Sequence, residues 1–155
     1  QEVLTFQRKV SELARAVSSA SALHRDMSKR ADYIKAAVAA TPSAPIEMLA
    51  EAREIQVRLQ DMGIKLNGDR SVSRRNFETP PSINMRVGTV RYGLSQTTSA
   101  PTQTYLDAYK IASEEFEPLL ADLKTIIKDI QKMEKKLEAY GAPYTPGRIP
   151  SWEEE

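Results

Sequence analysis

Apolar residues recur at steps of three and four from the start of the chain: Val3, Phe6, Val10, Leu13, Val17, Ala20, Met27, Ala31, Ile34 and Val38, with His24 in the same register. This is a heptad seam of about five repeats without an internal proline or glycine, and it predicts one long helix over residues 2–40. Charged residues such as Arg8, Glu12, Arg25 and Lys29 occupy the other positions, as on a solvated face. The segment TPSAP at 41–45 then turns the chain. A second helix is predicted over 45–62, with a proline in its first turn, a stripe at Met48, Ala52, Ile55, Leu59 and Met62, and Gly63 as the C′ residue. The polar stretch NGDRSVSRRNFETPP at 67–81 is long for a connector in a compact domain, so it is expected to be functional or tied down by packing.

Ser82 follows two prolines as an N-cap, and Ile83, Val87, Val90 and Leu94 predict a short third helix over 82–94 despite Gly88 and Gly93. After the connector SQTTSAPTQ, a fourth helix is predicted over 102–140. Its seam is the clearest in the chain: Tyr105, Tyr109, Ala112, Phe116, Leu119, Leu123, Ile126, Ile130, Met133, Leu137 and Tyr140. Leu106, Leu120 and Ile127 widen the apolar face enough for more than one neighbour, and Pro118 predicts a kink near 113–117. No segment alternates with period two, so no sheet is expected. The pattern predicts an all-α fold: an elongated up-and-down helical bundle of two long and two shorter helices, a single domain over 1–155.

Composition adds bounds. Hydrophobic residues make up 41% and charged residues 28% of 155, with 6% aromatic, as in a charged helical bundle. Twenty-two basic against 21 acidic residues give a net charge of +1, so no overall field recruits nucleic acid or an anionic membrane. Cysteine is absent, which removes disulfides, thiolate catalysis and cysteine-type zinc sites. No apolar run approaches the ~20 residues of a membrane span. The chain begins at Gln1 instead of a methionine, and a processed chain or an excised fragment of a larger one is expected.

Candidate chemistry is sparse. A bundle of this kind invites a di-iron centre, but His24 is the one histidine and Ser21, not glutamate, stands three residues before it. Its position on the seam predicts a half-buried histidine hydrogen-bonded to a neighbour. Glu114, Glu115 and Glu117 before Pro118 suggest a paired-carboxylate glycosidase centre, yet they flank the seam as solvated charges do. In the 67–81 loop, Arg70, Arg74 and Arg75 form a weak basic patch diluted by Asp69 and Glu78, without an array of aromatics for base stacking. Pairing of Asp69 with Arg74 or Arg75, and anchoring by Phe77, are expected to fasten this loop. Asn67 and Asp69 hint at a calcium loop, but the ligand register is missing. No catalytic, cofactor-binding or metal-ligating residue is assigned. The heptads either form the chain's own core or leave part of a seam, above all early in the first helix, open to a partner.

The stretch SAPTQTYLDAYKIASEEFEPLLADLKTIIKDIQKMEKKLEAYGAPYTPGRIPSW resembles the C-terminal end of large bacterial exported proteins built on BNR-repeat, sortilin-like β-propellers of glycosyl hydrolase or sialidase-like type. GDRSVSRRNFETPPSINMRVGTV resembles the segment such proteins place before their last long helix; together the similarity spans about residues 45–155. It implies a helical accessory domain that docks onto, caps or dimerises a propeller protein in the periplasm or at the cell surface. The partner would be the adjacent propeller or a second copy. The chain has no Ser-x-Asp-x-Gly-x-Thr-Trp box and no strand-rich blade, so no hydrolase residue carries over. The competing expectation is an independent helical adaptor with an open hydrophobic seam.

The tail AYGAPYTPGRIPSWEEE closes the pattern. Gly141 is expected to stop the last helix, and Pro143, Pro146 and Pro150 to keep the residues beyond it extended. Tyr144, Ile149 and Trp152 are then expected to pack as anchors of a structural strap, with a Pro-x-x-Pro ligand for an SH3-like partner as the other reading.

Overall fold

The heptad seam of the N-terminal segment winds into a 38-residue helix, α1 (Glu2–Ala39), in the computed structural model, which describes residues 1–154. Four more helices come after it: α2 (Glu47–Asn67), α3 (Arg70–Ser73), α4 (Ile83–Gln96) and α5 (Gln103–Ala139). The fold is all-α, a helical bundle with two long helices and shorter ones, and no strand occurs among the described residues. The chain divides into two compact units: Gln1–Leu23 with Asp61–Asp122, and His24–Gln60 with Leu123–Glu155.

In the first unit Phe6 and Val10 of α1 pack with Val90 and Leu94 of α4, and Tyr105, Ala108 and Tyr109 of α5 cover them. The rings of Phe6 and Tyr109 meet edge to face with centroids 5.5 Å apart. Gly93 is buried because the Tyr105 ring lies against it: a Cβ there would stand 2.2 Å from the ring carbon Cζ. Ser82 caps α4 as expected, its hydroxyl accepting from the Met85 amide at 3.2 Å.

In the second unit Met27, Ala31, Ile34 and Val38 of α1, Met48, Ala52, Ile55 and Leu59 of α2, and Leu123, Ile126, Ile130, Met133 and Leu137 of α5 are buried. Each stripe keeps its three-four spacing, so each buries one face. His24 is half-buried and its Nε2 donates to the Leu59 carbonyl at 2.6 Å, which fixes the tautomer because a carbonyl only accepts. The helix α5 closes with Gly141 at φ +74, Gly141 N–H donating to Glu138 and Ala142 N–H to Leu137, both at 3.0 Å. That pair of bonds is the Schellman arrangement, and it satisfies carbonyls the helix end would orphan.

Two expectations change. The second helix does not stop at Gly63: it runs to Asn67, and Gly68, at φ +84, takes the C′ role. Leu66 extends the stripe past Met62 and is fully buried. Its burial is worth about 2 kcal/mol, more than the roughly 1 kcal/mol cost of an internal glycine. The 67–81 segment holds the extra single-turn helix α3, capped by Asp69. The last helix is continuous through Pro118, which lies on its exposed face.

Candidate functional site

Tail residues 140–154 come after the last turn of α5 and belong with the second unit. Pro146 and Gly147 turn the chain, with Gly147 at φ +86 and the Arg148 amide bonded to the Thr145 carbonyl at 3.1 Å. That turn aims Arg148 at α5. Its Nε and Nη2 donate to Glu138 Oε1 at 2.9 and 2.7 Å, and Nε lies 3.8 Å from Glu134 Oε2. Hydrogen bonding to Glu138 raises the guanidinium's pKa above its ordinary value, with the charges of Glu138 and Glu134 adding to it.

Glu134 is the centre of this fastening. Its side chain is 1% exposed, Arg30 of α1 donates to Oε1, and the Thr145 hydroxyl donates to Oε2 at 3.4 Å. A carboxylate so far out of water requires paired donors, and these bring a helix and the tail to one point. Farther along, the Tyr144 hydroxyl donates to the Ser151 carbonyl at 3.1 Å and accepts from its amide at 3.2 Å, which closes the segment 144–151 into a loop.

The anchors are therefore not the ones expected. Tyr144 is 43% exposed and acts through its hydroxyl, while Ile149 and Trp152 are 89% and 81% exposed. Arg148 turns to two carboxylates of α5, while Ile149 beside it faces water. The result is a closed loop that presents Ile149 outward, with Trp152 exposed one residue beyond it. Comparison with family models, curated proteins and solved structures finds no match for this chain.

The loop-fastening residues are also reassigned. Asp69 Oδ1 accepts from the Ser71 amide at 2.9 Å and the Ser71 hydroxyl at 2.6 Å, and these bonds, the hydroxyl's first, hold its pKa below the usual value. No ion pair joins it to Arg74 or Arg75 among the described residues, and Phe77 is 66% exposed. A bond to an amide two residues away needs little ordering, whereas a pair with a solvated arginine gains little. Asn84 ties down the start of the loop instead, donating to Asn67 Oδ1 at 2.8 Å and to Ser21 Oγ at 3.2 Å.

The same loop builds a groove of about 640 Å³ in the first unit, lined by Ile64, Val72, Pro80, Pro81, Asp69, Lys65 and, from α5, Glu114, Glu115 and Pro118. Two of the three acids before Pro118 thus meet the 67–81 segment, a juxtaposition that their separation in sequence conceals. Glu114 pairs loosely with Lys110 at 3.9 Å, and both side chains are largely exposed. Early in α1, Phe6 and Val10 are buried under α4, so that part of the seam is filled by the chain itself. Among the described residues no group of three or more His, Cys, Asp or Glu is placed to hold a metal ion. Nor is any helix among the described residues long and apolar enough to cross a membrane.

Proposed function

We propose that this chain is a non-catalytic helical interaction module that docks onto, caps or dimerises a larger exported β-propeller protein of glycosyl hydrolase-like type. One observation carries the reading: Ile149 stands in solvent on a loop that Arg148 and Tyr144 hold in place, and Trp152 stands in solvent one residue beyond it. Side chains of this size fixed outward are what an interface core uses, because ordering them beforehand lowers the entropy lost on binding. The resemblance of residues 45–155 to the ends of exported propeller proteins supplies the partner class, an adjacent propeller or a second copy, and the periplasmic or surface location. Catalysis, if the parent has any, belongs to the propeller.

Trp152 is the one tryptophan, so 5-fluorotryptophan labelling makes a reporter of this site alone. Its ¹⁹F resonance is expected to shift or broaden when the parent's propeller is added or when the chain is concentrated. A resonance unchanged in both titrations overturns the reading.

A further inference from the structure

The groove beside Pro118 rests on different residues from the tail and has its own chemistry. Its apolar surface comes from Ile64, Val72, Pro80, Pro81 and Pro118, and its volume of about 640 Å³ lies within the range of ligand-binding clefts. Three carboxylates, Asp69, Glu114 and Glu115, face a single ammonium, Lys65. Asp69 is occupied by Ser71 and Glu114 lies near Lys110, whereas Glu115 has no ion pair among the described residues. One wall is extended chain: Thr79 and Pro80 each precede a proline, which disfavours helical backbone. Of the wall residues Thr79, Pro80 and Pro81, Thr79 keeps a backbone N–H, and its backbone groups make no hydrogen bond within the described residues.

We propose that this groove binds a short extended peptide of another protein in which basic residues alternate with apolar ones. Apolar side chains fill the cleft, and the basic ones between them reach the exposed carboxylates of Glu115 and Glu114. A second copy's tail is the wrong occupant, since its Ile149 and Trp152 are accompanied by Glu153 and Glu154, which the groove's carboxylates repel.

The test uses two fluorescein-labelled hexapeptides, one alternating lysine with leucine and one alternating glutamate with leucine, titrated into the full chain by fluorescence anisotropy. Saturable binding of the lysine peptide is expected, at least about tenfold tighter than that of the glutamate peptide. Glu114→Lys combined with Glu115→Lys should weaken the lysine peptide by about tenfold or more, and both positions are exposed, so helical circular dichroism should be unchanged. Trp152→Ala should leave peptide binding intact, which separates this site from the tail. Equal affinity for the two peptides, no saturable binding, or unaltered binding by the double variant overturns the proposal.

Discussion

Glu134 occupies a row of α5 that Leu120 and Ile127 fill at the two preceding heptad positions, so a charge stands where the pattern calls for an apolar residue. That misfit was the available sign of a buried polar contact; its partners were not readable, because Arg30 lies 104 residues away and Arg148 sits in irregular chain. Arg30→Met leaves a carboxylate 1% exposed with Arg148 at 3.8 Å and a hydroxyl, and is expected to cost about 3 kcal/mol, or a Tm lower by roughly 10 °C in calorimetry. The opposite holds for Trp152. A buried tryptophan lost to alanine would cost about as much, but an 81% exposed one removes little packing, so Trp152→Ala should leave Tm within about 2 °C. The one tryptophan of the tail read as core material because size and hydrophobicity mark what can be buried. They do not say which side of an extended segment a side chain takes.

The elements were legible where the three-four spacing was long. The first and last helices appear within a residue of the expected bounds, and Ser82 and Gly141 act as the cap and stop their types suggest. Glycine was the less certain marker, since it stops a helix only where the chain also runs out of apolar stripe. Gly63 lies inside α2 because Leu66 continues the stripe, and Gly68 ends it. Within α4 the two glycines differ in the same way. Gly88 is exposed with nothing near its missing Cβ, while Gly93 is buried under Tyr105. Gly88→Ala is therefore expected to raise stability by about 1 kcal/mol from backbone entropy. Gly93→Ala has the same gain but must push Tyr105 away from Phe6 and Val10, and should lower stability by about 1 kcal/mol net. Urea denaturation of the two variants reads the difference directly, and equal shifts would show that Tyr105 does not hold its place.

At the scale of the molecule, the chain fixes its helices locally and its surfaces by long-range meeting of segments. Heptad spacing, the lack of period-two alternation, near-neutral charge and the absence of cysteine determined an all-α fold and removed thiolate and disulfide chemistry, because periodicity and composition act over one or two helical turns or over the whole chain at once. The half-buried, bonded His24 was readable for the same reason, since a position on a seam specifies burial even when the partner is unknown. Only the tertiary structure decided that Arg30, Glu134 and Arg148 meet, that Ile149 and Trp152 face outward, and that Glu114 and Glu115 form a wall of the groove built by the 67–81 loop. The physical reason is common to all three. Which polar groups find partners depends on where distant segments come together, and once a buried carboxylate has claimed an arginine, the side chains beside that arginine take the positions left to them.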